Sequence, residues 1–394
     1  MRPYPIRSWI VSRTLAALAG MLLTATALAQ DVIKFGFVGA LSGLSAKSGE
    51  GITRGLETAV DEINQKGGLL GKKVVLVKRD DESNPAKGQI AARELIQNEK
   101  VAVIFGGIDT PVAMAVLPIV NKEKVIYMGT WAAGTFITRN NANPNFVFRV
   151  SAVDELVDKA LINYAMTTHK TKNPGFMLIN NPWGESNEKG LTAAVAERKI
   201  TRAGSEKFEE KDLDMTPHLS RLKANGADAI ILVSNAGPGA QVMKSIERMG
   251  WSVPVISHWG ISGGRFPELA GTAGKNVVFV QTYSFFGQQS EIGKKVIDML
   301  KAKYPDIKQP GDIVPPVGYA NAYDALHLTA LAIQKAGSAD PDKIRQGFYQ
   351  IDEHKGLIKT YKKPFSTANH DALNENDYIM VRYQGEQIVP VSMK

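Results

Sequence analysis

The chain contains no cysteine, so no disulfide can brace it and no thiolate can act as nucleophile or metal ligand. It lacks the G-x-x-x-x-G-K-[ST] loop that cradles nucleotide phosphates, which excludes this chain as the source of ATP-derived energy. Beyond residue 30 there is no long uncharged apolar run, and no later segment reads as a membrane span. Histidines are few, at 169, 218, 258, 327, 354 and 370, with no pair at helical ligand spacing, so neither a metal nor another cofactor is expected. Basic residues outnumber acidic ones by 47 to 39 but are scattered rather than gathered in a stripe, which argues against a nucleic-acid partner.

The N-terminus carries an address. Arg2, Arg7 and Arg13 precede a mostly apolar stretch from Thr14 to Leu28, and Ala27-Leu28-Ala29 supplies small residues for a signal peptidase. A cleaved secretory signal over 1–29 is predicted. As a membrane anchor the stretch falls short of the roughly 20 residues a bilayer needs, and Thr24 and Thr26 interrupt it. About 365 residues remain after cleavage, more than one core usually holds, so two domains are expected.

Strand, turn and helix alternate along those residues. IKFGFVGAL (33–41), KVVLVKRDD (73–81), VAVIFGG (101–107) and KVIYMGT (124–130) read as strands, with helices over about 51–64, after Asn84-Pro85 and near Pro111. Ser151-Ala-Val-Asp154 reads as a capping box that starts the pattern again. GFMLINN (175–181), 199–208, 228–235 and 253–257 supply further strands. This is an α/β chain of two doubly wound, Rossmann-like lobes meeting near residue 150. After about 281 long helices take over, roughly 289–304, 318–336 and 341–351, followed by short strands near 356–361, 377–383 and 387–391. Such a tail predicts re-entry into both lobes and a multi-strand hinge: 31–150 with about 282–351 in lobe 1, and 151–281 with about 352–394 in lobe 2.

The opening IKFGFVGALSGLSAKSGEGITRGLETAVDEINQKGGLLGKKVVLVKRDDESNP resembles the periplasmic solute-binding proteins of branched-chain amino acid transporters. FRVSAVDELV (148–157) is similar to that family's first crossover, and GYANAYDALHLTALAIQKAG (318–337) to its late helix. The resemblance implies a type I periplasmic binding protein whose lobes close on a small-molecule ligand. It further implies a periplasmic, monomeric protein whose closed form is read by the permease and ATPase subunits of an ABC importer.

Ligands of open parallel sheets sit at the carboxyl ends of strands. The resemblance places Ser48 in the first such loop, where a helix-cap role is the alternative. Thr110 falls where the family holds a ligand carboxylate at a helix N-terminus, beside Asp109, and either residue could instead serve only as a cap. Trp131, Ala132 and Ala133 follow in the next loop, Ala133 replacing the family's usual hydroxyl. In the second lobe Trp183 and Asn235 face the same way, and Trp259 replaces the glutamate that binds an α-ammonium group. An unpaired buried charge costs several kcal/mol, so an amino acid loses its usual partner here. Three tryptophans suit a flat acid, and an aromatic carboxylate is the expected ligand, with a branched-chain or related amino acid second. The bland alternative is that one or two of these indoles only pack between loops.

Two rivals come from other classes. Gly260-Ile-Ser262-Gly-Gly264 fits the G-x-S-x-G nucleophile elbow of hydrolases, with His327, His354 and His370 downstream, but the pattern has three loose positions and no oxyanion loop precedes it. A soluble sensor that hands its closed form to a membrane kinase is the other. Arg149, beside the first crossover, reads as a ligand contact or as a hinge salt bridge.

Overall fold

The computed structural model describes residues 32–392, and the expected signal sequence lies outside them. In the first lobe five parallel strands, β1 (Val32–Gly39), β2 (Lys73–Asp80), β3 (Val103–Gly106), β4 (Ile126–Gly129) and β5 (Val147–Arg149), lie in the order β2-β1-β3-β4-β5. Helices α1 (Ala46–Gln65), α2 (Pro85–Glu94) and α3 (Thr110–Glu123) join them. In the second lobe β6 (Pro174–Ile179), β7 (Gly204–Phe208), β8 (Ala229–Val233), β9 (Val255–Ser257) and β10 (Val278–Gln281) are parallel. Their connections carry α5 (Pro182–Glu197), α6 (Thr216–Ala224), α7 (Ala236–Arg248) and the short α8 (Phe266–Ala270), and α4 (Asp154–His169) leads in from the first lobe. Two late strands, β13 (Ile379–Gln384) and β14 (Gln387–Pro390), extend this sheet antiparallel, giving the order β14-β13-β10-β9-β8-β6-β7.

The composition of the strands explains the layering. Every residue of β6 and β8 is buried, so the sheet must be covered on both faces, which only crossover helices provide. In β1, Phe35 and Phe37 join one core, while Val38 packs into another with Leu95, Val116 and Tyr127. Helix starts follow local chemistry: the Asn84 side chain accepts hydrogen bonds from the amides of Ala86 and Lys87 at the head of α2, with Pro85 in the first turn.

Three local expectations are corrected. α1 starts at Ala46 rather than near Gly51, which puts Ser48 inside a helix. The strand expected over 199–208 is only β7, because Lys199 takes a left-handed conformation (φ 55°) in the turn that ends α5. The capping box at Ser151 does not form: α4 begins at Asp154 behind Val153, and the Ser151 hydroxyl instead donates to the carbonyl of Trp131 at 2.6 Å.

The chain passes between the lobes three times. The first crossing follows β5, the second follows β10 and leads to α9 (Glu291–Lys303) and α10 (Pro316–Ala336), and the third leads into β13. α10 packs along α1, and α11 (Pro341–Tyr349) packs on α10. Residues 353–362, which the sequence reading put in lobe 2, form a hairpin of β11 (Glu353–Lys355) and β12 (Thr360–Lys362) bound to lobe 1. The amides of Leu357 and Ile358 and the hydroxyl of Tyr361 all donate to the buried carboxylate of Asp324 on α10. Among the described residues no helix is long and apolar enough to cross a membrane.

Candidate binding site between the lobes

Loops at the carboxyl ends of β1, β3 and β4 face those after β6, β8 and β9 across the gap between the sheets, as doubly wound topology requires. Four helices, α1, α3, α5 and α7, begin in these loops. α5 is capped by the Asn181 side chain, which accepts from the amides of Trp183 and Gly184, whereas α1, α3 and α7 have no side-chain cap. The first amides of α3 and α7 are therefore left for water or a ligand, whereas at the head of α1 those of Ala46 and Ser48 already donate to the carbonyls of Gly43 and Ser45.

Two narrow adjoining hollows occupy the gap. One is lined by Asp109, Thr110, Trp131, Ala133, Trp183, Asn235 and Trp259, together with Ile108, Pro111 and Asn181. The other is lined by Ser48, Asn235, Ile108 and Glu210, among others. Eight of the nine residues singled out from the sequence thus come together. Ala132 does not: its side chain packs into the first-lobe core with Tyr127 and Ile137, because it alternates with its neighbours along the loop.

The individual roles are more specific than position alone suggests. Ser48 is no cap; its hydroxyl donates across the gap to the carbonyl of Gly263 at 3.0 Å. Thr110 opens α3 and its Oγ1 accepts from the amide of Gly134 at 3.3 Å. Asp109 stands at the cap position of α3 without capping it, and its Oδ2 is closed off from solvent with no partner. Burial holds this carboxyl above the usual carboxylate range, helped by the charge of Glu210, while hydrogen bonding by Ser83 and Asn235 pulls the other way. Trp131 and Trp259 meet across the gap with ring centroids 5.8 Å apart.

Arg149 takes the hinge reading. It is fully buried, its Nε is 2.7 Å from Asp371 Oδ1, and its guanidinium also donates to the Gly134 carbonyl and to Thr138. Asp371 lies on the third crossing, so the pair pins two crossings together. Ser262 does not form a nucleophile elbow: it sits fully buried in a 3-10 turn over Trp259–Gly263, donating to the Trp259 carbonyl and accepting from Gln281. His370 bonds the Val147 carbonyl and the Tyr349 hydroxyl instead. Among the described residues no group of three His, Cys, Asp or Glu is arranged to hold a metal ion.

Sequence reasoning missed Asn181, Glu210 and Ile108. Asn181 and Ile108 stand in loops following β6 and β3, so the strand-end rule would have found them. Asp154, read from the sequence only as the partner of Ser151 in a capping box, and His258 support the tryptophans from behind, and no local signal marked that role.

With this geometry in place, similarity to known proteins agrees with the fold. A family profile of periplasmic binding proteins matches residues 32–387. The chain belongs to that family, as a type I periplasmic binding protein of the branched-chain amino acid kind. A Leu/Ile/Val-binding protein homologue from Brucella melitensis is 25% identical over 78% of this chain and 80% of its own length. A type 1 periplasmic binding protein from Bordetella pertussis superposes with a TM-score of 0.83 at 24% identity, covering 92% of this chain and all of that one. A solute-binding protein of an ABC transporter from R. palustris, solved with 4-hydroxybenzoate, gives 0.79 at 22% identity, covering 92% and 96%. At such identities the superpositions speak for the fold.

Proposed function

We propose that this protein captures a small flat organic acid, an aromatic carboxylate, by closing its two lobes, and presents it to the permease and ATPase subunits of an ABC importer. The observation that carries the reading is the composition of the gap: Trp131, Trp183 and Trp259 line one hollow together with the uncapped start of α3, and no basic side chain lines either hollow. Indole faces suit a flat apolar body, and free amides at the positive end of a helix dipole suit a carboxylate. The protein acts as a periplasmic monomer after removal of residues 1–29, with lobe 1 built from 32–150 plus 282–370 and lobe 2 from 151–281 plus 379–392. It is a binder and not an enzyme. The R. palustris neighbour shows that this fold accommodates a hydroxybenzoate in another chain.

One observation favours an amino acid as second reading: the unpartnered Oδ2 of Asp109 could receive an α-ammonium group in place of the missing glutamate. Titration calorimetry against benzoate, 4-hydroxybenzoate, leucine and phenylalanine separates the two. Tight binding of the benzoates with silent leucine is expected; tight leucine with silent benzoates would sink the aromatic reading. Asp109→Asn sharpens the result. It leaves benzoate affinity within a few-fold, because a carboxylate ligand gains no charge partner from this side chain, whereas an amino-acid ligand would lose about 2 kcal/mol or more with its charge partner.

A further inference from the structure

The two second-lobe tryptophans do not owe their orientation to packing alone. His258 is fully buried behind them and stands edge-on to both, with ring centroids 5.1 Å from Trp183 at 83° and 5.5 Å from Trp259 at 74°. Its Nδ1 accepts the backbone N–H of Trp259 at 2.8 Å, which assigns the ring proton of the neutral imidazole to Nε2. That nitrogen donates to Oδ1 of Asp154 at 3.0 Å. The same oxygen accepts the indole N–H of Trp183 at 3.1 Å.

Asp154 is also the residue where the first crossing becomes α4, and its backbone N–H donates to the carbonyl of Ala133, in the cleft loop of the other lobe, at 2.9 Å. One residue thus holds the lobe junction through its amide, and through its carboxylate it holds the Trp183 indole and the His258 ring that packs edge-on against the Trp259 indole. One turn along, Asp158 has no hydrogen-bond partner for either oxygen, and burial together with Asp154 and Glu155 raises its carboxyl far above the usual range.

We propose that Asp154 is a positioning residue for ligand selectivity: its carboxylate sets the planes of Trp183, directly, and Trp259, through His258, and so fixes the preference of the gap for flat ligands. The proposal rests on the reading that a flat acid lies between these indoles. Removing the acceptor leaves the Trp183 indole N–H and the His258 Nε2–H buried and unpaired, and Trp183 must turn, as must the imidazole that fixes the Trp259 ring edge-on, to satisfy them.

The test uses the full mature chain, benzoate, and cyclohexanecarboxylate, which carries the same charge on a puckered ring. Asp154→Asn keeps an oxygen that accepts both bonds, so the affinity ratio of benzoate to cyclohexanecarboxylate should stay within about threefold of the parent. Asp154→Ala should lower that ratio about tenfold or more and flatten the near-ultraviolet circular dichroism of the indoles. A merely structural role would weaken both ligands alike and leave the ratio unchanged, which overturns the proposal, as does an unchanged indole spectrum. Should Asp154→Ala not fold, His258→Leu cuts the link to Trp259 while keeping both indoles, and the same losses are required of it. Should the parent bind neither acid, the ligand reading fails by itself, and the indole spectra of the variants still decide whether Asp154 orients the tryptophans.

Discussion

Asp81 and Asp109 show how a parallel sheet gathers like charges. Asp81 ends the run after β2, Asp109 the loop after β3, and both are carried to the same end of the first lobe. Burial pushes the Asp81 carboxyl up to about 7, and the charges of Asp109 and Asp80 add to the rise, while the bond from the Ser83 amide opposes it. A carboxyl raised in the folded state contributes most below its ordinary range, and that contribution is lost as the pH climbs through about 7. Asp81→Asn keeps the oxygen that accepts from the Ser83 amide but removes the titration. The variant should match the parent in thermal stability near pH 3 and exceed it by about 2 kcal/mol or more at pH 8, the difference opening between the ordinary carboxylate range and about 7. A difference in melting temperature that does not change with pH would refute the assignment.

At the scale of elements, the most extensive helix contact is that of α1 with α10. It depends on Gly55, where a methyl group would run into the backbone of Tyr319, and on Gly51, which faces the Tyr319 ring. This packing seats the head of α1, and with it Ser48, opposite Gly263 of the second lobe. Gly55→Ala should cost about 1–3 kcal/mol by pushing α10 outward. Thermal unfolding measures that loss. Calorimetry should show ligand affinity falling with it, since Ser48 moves with its helix, and stability lost at unchanged affinity would mean that α1 does not transmit the shift. The paired helices also explain why the late chain returns to the first lobe: Ala320, Ala322 and Leu326 of α10 supply core that the first lobe's own helices leave open.

For the whole molecule, the hinge is held by a buried ion pair. Arg149 and Asp371 bind two of the three crossings, with Thr138 bridging them through both carboxylate oxygens. Arg149→Met leaves the buried Asp371 without its charge partner and should cost about 3–5 kcal/mol in chemical denaturation. The double variant Arg149→Met with Asp371→Leu should recover at least half of that, because a well-packed apolar pair carries no desolvation penalty. If the double variant were less stable than the single one, the pair would be contributing net stability and not only a fixed hinge geometry.

Local chemistry determined much of this protein. Apolar runs too uniform for a one-sided sheet, turns with glycine or proline between them, and their repetition specified two doubly wound lobes. The strand-end rule then brought eight of the nine chosen residues to one gap. These features were legible because each depends on neighbours within a few residues. Other features depend on partners far along the chain. The Ser151 hydroxyl had a local role open to it and took a distant one on Trp131, and Arg149 found Asp371 222 residues away. Asp109 is left with an unpartnered oxygen only because the fold closes over it. The node at Asp154, which joins His258 from 104 positions on and Trp183 from 29, exists only once α4, α5 and β9 are packed together. Sequence alone set which loops meet. Tertiary packing decided what each side chain in them bonds, because a buried polar group must take whatever partner the fold brings within reach.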